Sequence, residues 1–151
     1  MDNITHSLFG YTLGFLTPNR KTDPNYRRAA ILTAVIGSNL PDFDSVIQAI
    51  VQPGSLNYLL HHRVYSHTLL LSFPLGLFSA WVGTRLTKLK FKTSLDLWLL
   101  GWIAVLLHIA ADYCNNYGIH PFYPFRNSWV YGDFVFIIEP FILLCCLPFV
   151  F

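Results

Sequence analysis

Two apolar runs, Thr68 to Leu86 and Leu95 to Tyr113, are almost uninterrupted. A helix rises about 1.5 Å per residue and the hydrocarbon core of a bilayer is about 30 Å thick, so ~20 apolar residues cross it. Both runs come close to that length without further argument. Three other apolar segments accompany them: Thr5 to Leu16, Ala29 to Val51 interrupted by NLPDFD, and Phe134 to Phe151. The first is too short to cross alone unless neighbouring protein covers its ends. Pro41 removes a backbone donor inside the second, and such a break at membrane depth is tolerated mainly where it faces protein or a wet cavity. The pattern predicts an all-α fold, an integral membrane helical bundle of four to five apolar segments with one broken at Pro41, and the break favours a pocket. Composition agrees, because only 12% of the residues are charged, about half the ~25% usual in soluble domains.

The length suits one domain covering residues 1–151. The chain stops inside an apolar run, which reads as a domain cut short at its C-terminus. MDNITHS carries Asp2 where a signal peptide would have a basic region, and no small-residue cleavage site follows, so insertion is expected to rely on the spans themselves. There is no internal repeat or low-complexity tract.

The positions of the basic residues say more than the net charge. A formal charge of +2 is too small to argue for nucleic acid, and no direct nucleic-acid binding is expected. Eight of the ten basic residues fall in two loops: Arg20, Lys21, Arg27 and Arg28 in one, Arg85, Lys88, Lys90 and Lys92 in the other. By the positive-inside rule both loops are cytoplasmic. At the other ends of the segments lie Asp2, His6, Asp42, Asp44, His61, His62, His67, His108 and Asp112. Alternation of the spans therefore brings four separate motifs to one end of a multi-pass bundle, toward the non-cytoplasmic face.

Histidine nitrogens together with carboxylate oxygens suit zinc or a similar divalent metal. His108 and Asp112 are four residues apart, so a helix puts them on one face; Asp2 and His6 share that spacing. Asp42 and Asp44 flank one residue in a proline-led turn, where two carboxylates can converge on one cation. His62 and His67 straddle an expected helix start, with Arg63 available for an anionic group. Taken singly, each motif has a plain alternative: hydrated interfacial anchors, or, for PDFD, a helix stop followed by an N-cap. A hydrated edge, however, predicts polar residues at both ends, whereas histidine is confined to one, and ionisable clusters at membrane depth are functional candidates.

In order, MDNITHS, SNLPDFDS, HHRVYSHTLL and HIAADYCNNYG, followed by YPF and GDFVFIIEP, resemble the successive motifs of the LexA-binding, inner-membrane-associated hydrolase family, bacterial membrane-bound metal-dependent hydrolases. The resemblance runs from Met1 to about Pro140. It implies metal or catalytic roles for His6, Asp42, Asp44, His62, His67, His108 and Asp112, and an inner-membrane location. Glu139 stands where the family more often has Asp, and Ser66 where it commonly has Thr; both keep the chemistry. The His-x-x-x-Asp helix and all-helical plan are more distantly similar to zinc-dependent phospholipase C and P1-type nucleases, an analogy that suggests phosphoester hydrolysis.

The resulting expectation is metal-assisted hydrolysis of a phosphoester or lipid-like, amphiphilic substrate, with zinc the first choice of divalent metal. Asp42, His67, His108 and Asp112 are the first choice of ligands, with His6 and His62 next. Asp44 is expected as a further ligand or the general base, and Arg63 as the group that neutralises a phosphate oxygen. Asn115 and Asn116 either orient ligands or form the turn at Gly118. His120, among Tyr117, Phe122, Tyr123 and Phe125, reads first as part of an aromatic interfacial belt, with a metal-ligand role as the alternative. Glu139 is notable as a carboxylate in an apolar run, and the three cysteines read as small hydrophobes. Two rivals stand beside the enzyme. A transporter or proton relay should spread ionisable groups through the depth of the bundle, and here they crowd one end. A non-catalytic, metal-stabilised scaffold could bind a LexA-type repressor, a partner implied by the family name alone.

Overall fold

The computed structural model describes residues 1–17, 24–46, 63–89, 95–136, 138–146 and 148. Four helices pack side by side: α1 (Asn3–Leu16), α2 (Pro24–Asn39), α3 (Leu69–Leu86) and α4 (Leu95–Tyr113). A fifth, α5 (Pro140–Cys146), lies against α1. Helix α2 is the hub of the bundle, touching α1, α3 and α4, while α3 and α4 also pack on each other. Among the described residues there is no β-strand, only an isolated antiparallel bridge between Ile119 and Val130.

Local chemistry explains the boundaries. Asp2 caps α1, its Oδ1 accepting from the Ile4 and Thr5 amides at 3.0 Å each, so it serves as a helix cap and not as a ligand. Proline opens α2 at Pro24, where its missing N–H is harmless. Pro41 ends the same helix in a single 3-10 turn, Leu40–Asp42, at the break that the sequence predicts. Thr68 caps α3 by accepting from the Leu71 amide at 3.1 Å. Among the described residues the last apolar segment gives the seven-residue α5, which begins at Pro140.

Helix α3 has its size pattern reversed relative to a soluble bundle. The buried stripe of α3 is Ser72, Gly76, Ser79, Ala80, Gly83 and Thr84, and its outer face exposes Leu70, Phe73, Leu77, Phe78 and Trp81. Large apolar side chains turned outward and small residues turned inward suit a helix whose solvent is lipid. Windows within Leu69–Leu86 and Leu95–Cys114 have mean hydropathies of 1.3 and 1.7, and both helices are long enough to cross a membrane. Among the described residues these two alone meet that test. At about 1.5 Å per residue, α1 and α2 measure about 21 and 24 Å, short of the ~30 Å core, so of the four to five apolar segments the two longest runs are the ones that give spanning-length helices among the described residues.

The four helices alternate in direction. The start of α1, the end of α2, the start of α3 and the end of α4 all meet at one end of the bundle. Arg27 and Arg28 in the first turns of α2, and Arg85 and Lys88 at the end of α3, lie at the other. Arg20, Lys21, Lys90 and Lys92 lie outside the described residues, as do His61 and His62. Where they are described, the basic groups of the two loops therefore lie at the end away from His6, Asp42, His67, His108 and Asp112, while Arg63 stands among those groups and Asp96 opens α4 at the basic end.

Candidate metal centre

Four side chains from three places in the sequence converge at the histidine-rich end: Asp42 from the 3-10 turn, His67 from the approach to α3, and His108 and Asp112 from α4. His67, His108 and Asp112 are fully buried and Asp42 nearly so. His67 Nε2 lies 3.0 Å from His108 Nε2, 3.1 Å from Asp112 Oδ2 and 3.5 Å from Asp42 Oδ1. His108 Nε2 stands 3.6 Å from both Asp42 Oδ1 and Asp112 Oδ2.

The other side of each imidazole fixes its tautomer. His108 Nδ1 donates to the Ser38 carbonyl at 2.7 Å. The Ser66 hydroxyl donates to Asp44 Oδ2 at 2.6 Å, so it must accept from His67 Nδ1, 2.9 Å away. Both Nε2 atoms therefore present lone pairs to the centre unless an extra proton is added. Two lone pairs and two carboxylates converging in a buried space suit a cation, and the proton balance reflects this. Burial works to raise the Asp42 pKa, but the hydrogen bond with His67 and the neighbouring His108 hold it down to about 2. Burial works to lower that of His67, and the Asp112 and Asp42 carboxylates outweigh it and raise it.

A divalent ion fits the same arrangement. Metal–ligand bonds of about 2.0–2.2 Å in a tetrahedron separate donor atoms by about 3.3–3.6 Å, and the five donor pairs above span 3.0–3.6 Å. Two imidazoles and two carboxylates suit zinc and other divalent first-row ions.

A layer of supporting groups surrounds the four. Asp44 is not one of the converging donors. Residues advance about 100° around a helical axis, so two positions beyond Asp42 the side chain points about 200° away. Its carboxylate instead receives Ser66 Oγ and the Arg63 amide, the latter at 3.1 Å. Arg63 takes a left-handed conformation, φ 68°, an uncommon backbone state for a non-glycine residue that tends to occur at functional sites. Its nearly buried guanidinium reaches Asp112 Oδ2 at 3.1 Å and Asn115 Oδ1 at 3.4 Å, and its Nε has no hydrogen-bond partner. Asn115 is fully buried, accepts from the Tyr117 amide at 2.8 Å and donates to Asp112 Oδ1 at 3.4 Å, so it both makes the turn and orients a ligand. Asn116 is exposed.

His6 is completely buried beside the four. Its ring stacks on His108 with centroids 3.8 Å apart, and Nε2 is 3.3 Å from Asp112 Oδ1. His62 lies outside the described residues. His120 is buried against Trp129, centroids 4.2 Å apart, where burial lowers its pKa; it is not one of the converging donors. Glu139 accepts from the Phe136 amide at 2.8 Å, a local turn contact. Sequence reasoning missed the Ser38 carbonyl, which carries no side-chain signal, and the role of Ser66, whose signal was a hydroxyl immediately before the histidine.

The Ser66 bridge gives a measurable expectation. Ser66→Ala leaves His67 Nδ1 and Asp44 without their shared partner, and loss of such a support typically weakens metal binding 10–100-fold. Ser66→Thr restores the hydroxyl and should restore affinity in a competition titration with a zinc chelator; equal affinity for wild type and Ser66→Ala would remove the bridge from the site.

Comparison with known proteins agrees with the lipid-facing helices. The family described as YdjM inner membrane protein matches residues 1–150. An uncharacterized protein of Bacillus subtilis (strain 168), YfhP, is 31% identical over 149 residues, covering 95% of this chain and 43% of its own length. The chain thus spans less than half of that relative. No solved structure matches it. The chain belongs to the YdjM inner membrane protein family.

Proposed function

We propose that the chain is a membrane-embedded, metal-dependent hydrolase whose Asp42, His67, His108 and Asp112 hold a divalent ion, with zinc the first choice. The observation that carries this reading is the convergence of four acceptor atoms at ligand spacing in a buried pocket, with both histidine tautomers set by outside partners. A divalent ion there would polarise the scissile group and lower the pKa of water toward neutrality. The chain's own residues supply the rest. Arg63 sits against the same Asp112 oxygen with its Nε unsatisfied, a buried N–H that an anionic substrate oxygen would pair with. Asp44, expected as ligand or base, acts in this reading as a positioning residue through Ser66. The arrangement favours a phosphoester, and the placement of the site at a bundle end favours an amphiphile already in the membrane interface. Arg27, Arg28, Arg85 and Lys88 at the opposite end support, by the positive-inside rule, a non-cytoplasmic face for the site.

The test is a hydrolysis panel with metal-loaded protein in detergent: phospholipids, nucleotides, an activated phosphodiester and acyl esters. Turnover of a phosphoester, lost with the ion on chelation and regained on reloading, is expected. Metal-loaded protein that turns over nothing, while losing thermal stability on chelation, would leave the scaffold reading in its place, with the binding of a LexA-type repressor still to be sought.

A further inference from the structure

Helix α3 has the length of a membrane span and ends at Leu86, so the groups just beyond it stand at the level of lipid headgroups. The start of α2 packs beside that end, and between the two lies an open cleft of about 610 Å³, within the ~300–1,000 Å³ of small-molecule sites. Its half-buried lining includes Ile31, Leu32 and Leu89, and its exposed lining carries two cations, Arg28 and Lys88. Ile31 and Leu32 follow Arg28 by about one helical turn, so they share its face and lie about 5 Å deeper in the membrane.

The other cations at this end have aromatic partners. Arg27 lies over the Phe15 ring, 4.8 Å from its centroid, and Arg85 over Trp81 at 5.7 Å. Among the described residues neither Arg28 nor Lys88 forms an ion pair or stacks on a ring. Asp96, the carboxylate that opens α4 at this end, takes the Tyr26 hydroxyl. Lys88 also holds a left-handed conformation, φ 60°, at the position after a helix end where glycine is usual because a side chain strains it. Its turn closes α3, the Leu89 amide reaching the Thr84 carbonyl at 2.9 Å. Glycine would close it equally well, so closure alone does not account for a lysine there.

We propose that this cleft binds an anionic phospholipid of the leaflet at the basic end, with Arg28 and Lys88 pairing with the phosphate and Ile31 and Leu32 lying along the top of an acyl chain. Two like charges on one cleft repel until an anion sits between them, and basic pockets between membrane helices recognise lipid headgroups in this way. The neighbouring cleft of about 320 Å³ between α1 and α2 lacks such a pair, its one cation being Arg27 on Phe15. The lipid sits at the opposite end of the bundle from the metal centre and does not depend on it.

The test is native mass spectrometry of the detergent-solubilised protein offered phosphatidylglycerol and phosphatidylcholine with identical acyl chains, together with thermal melts in each lipid. Wild type should retain one phosphatidylglycerol in preference and melt higher in its presence. A basic side chain beside an anionic lipid is worth about a fivefold change in binding, so Arg28→Gln and Lys88→Gly should each lower the preference by about that factor. Lys88→Gly should do so without losing thermal stability in lipid-free detergent, since glycine suits its backbone. Arg27→Gln, whose cation is stacked in the other cleft, should keep the preference. No preference in wild type overturns the site. Equal losses in Arg27→Gln and Arg28→Gln overturn it in favour of the general attraction of a basic surface. Loss in Arg28→Gln alone leaves Lys88 as a helix closure and overturns the paired site. Displacement of the lipid by millimolar inorganic phosphate assigns the cleft to a soluble anion and overturns the lipid. Where Lys88→Gly fails to fold, Arg28→Gln against Arg27→Gln still decides.

Discussion

Asp112→Ala is expected to purify without its divalent ion and to melt well below wild type. The substitution removes a charged donor and leaves a vacancy between His67, His108, His6 and the Arg63 guanidinium, all of which face that carboxylate. Arg63 then keeps a buried positive charge without its partner, and breaking a buried pair from one side typically costs about 3–5 kcal/mol. Asp112→Asn keeps the shape and a neutral oxygen, so it separates the two effects: it should fold better than the alanine variant while still binding metal poorly. His120→Ala is the control, since His120 packs on Trp129 away from the centre, and it should retain the ion. Elemental analysis and a thermal melt on all four proteins make the comparison. Stoichiometric metal in Asp112→Ala would remove Asp112 from the ligand set.

Gly101→Val should loosen the bundle itself. A Cβ at Gly101 would lie 2.5 Å from the Gly76 carbonyl oxygen and 2.4 Å from Ser79 Oγ, and one at Gly76 would lie 2.5 Å from Trp102 Cα. The backbones of α3 and α4 thus touch, and no side-chain rotation relieves a clash with main chain. Overpacking of this kind costs about 1–3 kcal/mol, occasionally more. The cost falls on function as well, because separating α3 from α4 moves His67, which precedes α3, away from His108 and Asp112 on α4. Leu77→Ala, on the outward face of α3, should change the melting temperature little. A Gly101→Val protein as stable and as metal-competent as wild type would show that the helices do not depend on this contact.

Much of the fold was legible because hydropathy and helix punctuation are local properties. The two long runs became α3 and α4 with nearly the expected limits. Pro41 stopped α2 where a missing backbone donor should, and the separation of basic residues from histidines followed from the alternation of helix direction. The less legible elements were those whose fate depends on neighbours. The other apolar segments gave α1 and α2, too short to reach across the core unaided, and the short α5 that begins at Pro140.

The sequence by itself determined that this chain is helical, that two of its helices have the length and apolarity for lipid, and that His6, Asp42, Asp44, His67, His108 and Asp112 gather at one end, since each follows from the order and spacing of residues along the chain. Which of those groups meet was decided only by the tertiary structure. Asp42 faces the centre and Asp44 turns back to Ser66 because a helical turn rotates them apart; Asp2 is spent on capping α1; His120 is left against an aromatic ring. Asp112 touches His67, 45 positions away in sequence, because small residues let α3 and α4 come together backbone to backbone. The lateral position and rotation of packed helices depend on contacts between distant residues, and no periodicity in a single chain records them.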